Sequence, residues 1–296
     1  MVQSPLQDFI APLDVNSNPD GIDKITGMLY INGQLIINAE RWYDAVADNV
    51  DTTLVMRDAG NMASSTIDGY YQMNGDTESS GYMSPIPAEW QADFGGAYLT
   101  GWASNYSIIS RYSVGPSLWV FDHATLLNDS GANSGPINAT AFLNYSYAGG
   151  NRIHPDAWEE STGSSSPLWN PLARAMFGFI VPGTNTFAVF GSNAGIYSGV
   201  GYKITQNNGN LCGGPCAYDA SDYYNYYWLY DVQDILNATN VYDPQPYEYG
   251  ELSVPFDESG SIRISGGTFD PSTGTLYLAL READGNAPVI VVYQIQ

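Results

Sequence analysis

The chain of 296 residues carries 31 Asp and Glu against 9 Lys and Arg, a formal charge of −22 with a pI near 4.1. That balance excludes tracking a nucleic-acid backbone, which rests on Lys and Arg displacing counterions, and supplies no polybasic patch to hold an anionic leaflet. Apolar residues at 44% and aromatic residues at 14%, with 23 Tyr and 7 Trp, exclude disorder and provide a core for a single domain over 1–296.

Charged residues make up only 14% of the chain, against roughly 25% in an ordinary soluble domain. Polarity comes instead from Gly, Asn, Ser, Thr and Tyr, a mix that suits short twisted strands joined by turns. No apolar run reaches the roughly 18 to 20 residues needed to span a bilayer, so no membrane insertion is expected. Met1 to Pro5 has neither the basic nor the apolar region of a signal peptide. Two expectations follow: a leader was removed, or the protein is made in a cytoplasm and assembled there onto a surface.

Leu6 to Ile10 is the first short apolar segment. Asp14, Asn16, Asn18 and Asp20 then place oxygen side chains at alternate positions, as calcium loops do. Pro19 stands where such a loop has Gly, and Ile25 where it has its bidentate Glu, so a solvated turn is the competing reading. Thr26 to Ala39 is a glycine-led strand, turn and second strand (Leu35 to Asn38), followed by Thr53 to Met56 and Gly69 to Met73. A second unit runs from Thr100 to Ser110, with its second strand at Ser107 to Ser110, then Leu118 to Asp122 and Ala141 to Tyr145.

A third unit, Gly178 to Gly191, has its second strand at Phe187 to Phe190, its third at Tyr227 to Asp231 and its fourth at Glu251 to Val254. Cys212 and Cys216 flank a Gly-Gly-Pro loop; the spacing suits a disulfide and an oxidising compartment, and offers too few ligands for zinc. The fourth unit, Gly266 to Leu280, turns at Asp270-Pro271-Ser272-Thr273-Gly274, has Leu276 to Ala279 as second strand and Val289 to Tyr293 as third. No chain remains for its outer strand, which Leu6 to Ile10 would supply.

One pattern recurs in closer detail. Trp119-Val-Phe-Asp122 leads to Leu126-Leu127-Asn128, and Trp228-Leu-Tyr-Asp231 leads to Ile235-Leu236-Asn237, 109 positions on. Four similar units predict an all-β fold, a β-propeller of about four blades closed by the N-terminal strand; a β-sandwich is the alternative. Steps of 72, 80 and 89 residues between second strands are long for a blade and imply long loops or missed blades. Asp122 to Asn128 and Asp231 to Asn237 read as short helical caps, with a structural task for both Asp residues.

Through Phe269 to Leu278 and the closing Val291-Val292-Tyr293, the chain resembles β-propeller proteins in general. The stretch from Ser84 to Ser117 looks like segments of exported proteins of no assigned function. Neither likeness carries over a catalytic residue.

Candidate sites follow from scarcity. Arg41, Arg111 and Arg281 fall just past second strands, where a propeller would gather them at one mouth of its channel to hold a carboxylate or sulfate. The competing reading pairs each with a carboxylate. Tyr112 and His123 lie near Arg111, and propeller polysaccharide lyases use a His and a Tyr with an Arg or metal; a loop histidine is the plainer reading. Acids are too numerous to single out a hydrolase pair, and no serine-hydrolase elbow, zinc-protease motif or Walker loop is present. Sequons stand at Asn105, Asn128, Asn138, Asn144 and Asn237. Dense tyrosines at 223–227 and 242–249 suit stacking on sugars or a protein interface. Two functions are expected: an extracellular or surface-exposed binding or structural module whose partners are carbohydrate or sister subunits, or a secreted carbohydrate-active enzyme at the channel mouth. Calcium is the one cofactor raised.

Overall fold

Asn32 and Gly33 both take positive φ, 49° and 86°, the backbone of a two-residue hairpin turn. They fold β1 (Lys24–Ile31) onto β2 (Gln34–Glu40). The computed structural model describes residues 21–41, 44, 48–102, 115–129, 135–146, 150–155, 165–257, 262–285 and 287–295. Within it β3 (Asp51–Met56) and β4 (Ile67–Gln72) complete an antiparallel sheet in the order β1-β2-β3-β4, the first blade.

The second blade is β5 (Met83–Pro85), a short helix α1 (Gln91–Phe94), β6 (Tyr98–Thr100), β7 (Leu118–Phe121), helix α2 (His123–Asn128) and β8 (Ala139–Leu143), with sheet order β5-β6-β7-β8. The third is β9 (Arg174–Ile180), β10 (Thr186–Ala194), β13 (Tyr223–Asp231) and β14 (Glu248–Glu251). Inserted into it is the hairpin of β11 (Val200–Tyr202) and β12 (Pro215–Ala217), and helix α3 (Val232–Asn237) follows β13. The fourth blade has three described strands, β15 (Arg263–Asp270), β16 (Thr275–Asp284) and β17 (Ala287–Gln294). Four antiparallel sheets arranged this way, with β1, β5, β9 and β15 innermost, make a four-bladed β-propeller.

The repeat read in the sequence has a physical basis. The carboxylate of Asp122 accepts from the Thr125 backbone N–H, and that of Asp231 accepts from those of Gln233 and Asp234. Each Asp ends a third strand and caps the helix after it, so the Trp-x-aromatic-Asp pattern records one strand-to-helix junction used twice. The turn of blade four is built alike: Asp270 takes the N–H and hydroxyl of Ser272 and the hydroxyl of Thr273, and Gly274 sits at φ 66°.

The second unit needs correction. Its second strand is β6, at Tyr98–Thr100, and its inner strand is β5, at Met83–Pro85, upstream of the glycine-led segment expected to hold both. Ser107 to Ser110 lies outside the described residues. Both strands are only three residues long, too short for alternation to reveal them. The outer strand of blade three lies at Glu248–Glu251, three residues earlier than expected. Leu6 to Ile10 is outside the described residues, as is the expected calcium loop.

The inner strands approach closely. A Cβ on Gly27 would stand 2.0 Å from the Gly81 carbonyl oxygen, and one on Gly178 would stand 2.8 Å from the Tyr82 ring. Tyr82 itself, just before β5, is buried; its hydroxyl donates to the Ser117 carbonyl at 2.5 Å and its ring meets Phe177 edge-on. Tyr82 therefore packs between the inner strands of blades two and three.

One apolar core cluster joins blades two, three and four, through residues such as Leu118, Phe177, Trp228 and Leu278. Another joins blades one and two, through Ile36, Val55, Met83 and Phe121. A third, with Ile37, Leu54 and Tyr70, belongs to blade one alone. No cluster of described residues joins blade four to blade one. A cleft of about 480 Å³ opens there instead, walled by Met28, Tyr30 and Leu35 of blade one and by Tyr277, Ala279 and Ile290 of blade four, and reaching Tyr82, Met83 and Met176 of blades two and three.

Candidate functional site: a tyrosine and carboxylate surface on blade three

The scarce arginines are engaged. Arg41 is paired with Asp44 and Asp48, and Arg281, exposed at the end of β16, reaches Glu282 at 2.9 Å. Neither lines the interblade cleft or the second described cavity, a polar recess around Arg57. Arg111 and Tyr112 fall outside the described residues. His123 opens α2, half-buried, with its ring edge-on to Tyr98 at 4.6 Å. Burial lowers its pKa, with the adjacent Asp122 opposing. The structure therefore does not bring His123 together with Arg41 or Arg281.

Among the sequons, Asn105 is outside the described residues. Asn128, Asn138 and Asn237 are exposed, whereas Asn144 is buried with its amide donating to the Glu78 carboxylate. Cys212 and Cys216 form a disulfide, Cα to Cα 6.4 Å, in the loop that returns to β12.

Two carboxyls whose pKa is raised, Glu40 and Glu78, were not singled out as site residues by the sequence. Glu40 is held by Lys24 at 2.9 Å, and burial raises its pKa against that ion pair. Glu78 is raised by burial too, with the Asn144 hydrogen bond opposing. A raised carboxyl is what a general acid needs, but neither lines either described cavity. Their sequence neighbours are ordinary strand and turn residues, so nothing short of the fold could mark them.

The densest exposed chemistry lies on blade three. Along β13, alternation sets Tyr224, Tyr226, Trp228 and Tyr230 on one face, and pairing with β14 puts Glu251 opposite Tyr226 and Tyr249 opposite Trp228 on that same face. Tyr226 and Trp228 are buried, their polar tips held by the Pro167 and Leu168 carbonyls at 2.7 Å, and so anchor the face. Tyr197 arrives from the loop after β10. Its ring meets Tyr224 edge-on at 5.8 Å, and its hydroxyl donates to Glu251 at 2.7 Å. Tyr197 is 71% exposed and Tyr249 39% exposed.

The loop carrying Tyr197 is fixed from below. Gly195 and Gly199 take positive φ (67° and 84°), and the Asp222 carboxylate accepts from the Tyr197 and Ser198 N–H groups and the Ser198 hydroxyl. A tyrosine bracketed by glycines was the sequence signal available for it. The Glu251 hydrogen bond and charge hold the Tyr197 phenol above its ordinary range, so it stays a neutral donor. On the opposite face of the sheet Tyr227 donates to Glu248 at 2.8 Å in the same manner, and burial raises Tyr224. Exposed phenols beside carboxylates can stack on a ligand while the carboxylates accept its hydroxyl protons.

No protein-family model matches the sequence, and no curated protein matches it. Among solved structures, a quinoprotein alcohol dehydrogenase-like protein of Bacteroides thetaiotaomicron is similar over 90% of this chain, at 10% identity and a TM-score of 0.31. The match spans 42% of that chain, less than half its length. The propeller assignment rests on the sheet order. No helix among the described residues is long and apolar enough to cross a membrane, and they contain no cluster of three metal-ligating side chains.

Proposed function

We propose that this propeller is a non-catalytic glycan-binding module of an extracellular or assembled surface. The observation that carries the reading is the blade-three face on which Tyr197, Tyr224 and Tyr249 surround Glu251, with Tyr197 locked by a hydrogen bond to that carboxylate. A pyranose ring lays its C–H face on such a phenol and directs its hydroxyls to the acid beside it. Ordering cost is reduced at Tyr197, which is already held by Glu251 and packed on Tyr224. The disulfide fits an oxidising environment, which agrees with an exported or surface location.

Glu251, with Asp222 beneath the Tyr197 loop and Asp219 nearby, makes this patch anionic, which favours neutral sugars over uronates and sulfated glycans. A glycan array combined with a polysaccharide-turnover screen tests the proposal. Retention of neutral glycans without depolymerisation is expected. Retention of sulfated or uronate glycans in preference, or shortening of any polymer, would sink it.

A further inference from the structure

The hairpin of β11 and β12 stands apart from the rest of the fold. It forms a two-stranded sheet of its own, inserted between β10 and β13, and each of its strands holds three residues. A two-stranded hairpin of this size is marginal by itself. The apolar support beneath it is a small cluster separate from the interblade cores: Val200 and Ala217 of the hairpin against Leu172 and Ala194, with Tyr223 beside them. The disulfide between Cys212 and Cys216 closes this same hairpin, tying its tip to β12.

The hairpin is also what braces Tyr197. Directly after β12 the Tyr218 N–H donates to the Gly199 carbonyl at 3.1 Å, and the Asp219 N–H donates to the Ser198 hydroxyl at 3.0 Å. Ser198 and Gly199 follow Tyr197, and β11 begins at Val200. Asp222 then accepts from the Tyr197 and Ser198 N–H groups. These contacts all come from residues 218–222, the stretch of chain that leaves the hairpin just past Cys216.

We propose that the Cys212–Cys216 disulfide switches the blade-three site. Closed, it keeps the hairpin paired and Tyr197 seated on Tyr224 and Glu251; opened, it releases the hairpin and with it the ring. That the switch governs affinity for neutral glycans rests on the function proposed above; the seating of Tyr197 does not. The reaction is thiol–disulfide exchange with a dithiol. Cys216 is buried, whereas Cys212 is half-buried between exposed Leu211 and Gly213, so a thiolate of the reductant attacks the Cys212 sulfur. The S–S bond breaks and Cys216 leaves as a thiolate. The second thiol of the reductant then displaces Cys212 from the mixed disulfide, so the reductant departs as a cyclic disulfide and two cysteine thiols remain. In the chain-entropy view, closing so short a loop shifts its opening equilibrium by about thirtyfold. A chain held in a reducing compartment therefore carries a loose site, and oxidation outside that compartment completes it.

The test uses the full chain in three forms: oxidised, reduced with excess dithiothreitol, and as Cys212→Ser/Cys216→Ser, which cannot close the loop. Hydrogen exchange is followed in the 195–203 peptide, with the 34–40 strand of blade one as reference. Binding of one neutral oligosaccharide is measured by titration calorimetry. Exchange at 195–203 is expected to be about tenfold faster or more in both open forms, with the reference strand unchanged. Affinity should fall about fivefold or more, and reoxidation of the reduced wild type should restore both. Three outcomes would overturn the proposal: a disulfide that dithiothreitol leaves closed; unchanged exchange at 195–203; or faster exchange in every blade, which would make the bond a general staple. Faster exchange at 195–203 with unchanged affinity would likewise remove the switch. Absence of binding by the oxidised protein would sink the glycan reading, and exchange would still decide whether the bond holds Tyr197.

Discussion

Arg57 shows how so few cations serve this fold. Its guanidinium donates to Asp68 at 2.5 Å, to Gln34 at 2.9 Å, to the carbonyls of Leu126 and Leu127 at 3.0 Å, and to the carbonyl of Asp129. Those carbonyls end α2, so one blade-one side chain caps a blade-two helix and ties two sheets together. Arg57→Ala should cost about 2–4 kcal/mol in urea unfolding, because a partly buried acid and several carbonyls lose their donor. Arg281→Ala, at an exposed site, should stay within about 0.5 kcal/mol. Glu78 sets a pH dependence. Burial raises its folded pKa above the unfolded value, so the folded state holds the proton more tightly. Its contribution is fully present below the ordinary carboxylate range and is lost as pH rises through the raised folded value. The melting temperature of Glu78→Gln, relative to wild type, should therefore climb as pH rises from the ordinary carboxylate range through the raised folded value. A difference that stays constant across that range would show that Glu78 pays no ionisation penalty in the fold.

At the scale of elements, strands with strong alternation or a terminal signal were legible. The β2, β10 and β16 segments, the two Trp-x-aromatic-Asp junctions and the Asp270 turn all stand where the residues place them. What escaped was short or depended on contacts far along the chain. Strands β5 and β6 hold three residues each, and the packing of Tyr82 depends on glycines at 101 and 178, which no local pattern connects to residue 82. The tyrosine patch was half legible. The density of Tyr in 223–227 marked the strand, but Tyr197 reaches it from a loop and Glu251 through strand pairing. Three substitutions test this level. Gly27→Ala should destabilise severely, by about 3 kcal/mol or more in urea unfolding, since the added methyl meets the Gly81 backbone, which cannot yield as a side chain could. Asp122→Ala and Asp231→Ala should each cost about 1 kcal/mol, the usual worth of a helix N-cap; no loss in either would remove the junction explanation of the repeat.

Across the whole molecule, the excess of acid serves different ends in different places. Most of it is dispersed and keeps copies apart. The part gathered on blade three orients the Tyr197 and Tyr227 phenols through Glu251 and Glu248 on the two faces of its sheet. Of the three arginines that in sequence suggested an anion-binding ring, Arg41 and Arg281 form local ion pairs and Arg111 lies outside the described residues, while Arg57, not among them, is paired with Asp68. Titration calorimetry of one neutral oligosaccharide against wild type and a Tyr197→Ala/Tyr249→Ala double variant tests the binding surface most directly. With two stacking rings removed, each worth about 1 kcal/mol, affinity should fall at least tenfold while the melting curve stays in place. Equal affinity in the two proteins, with both folded, would contradict a glycan site on blade three.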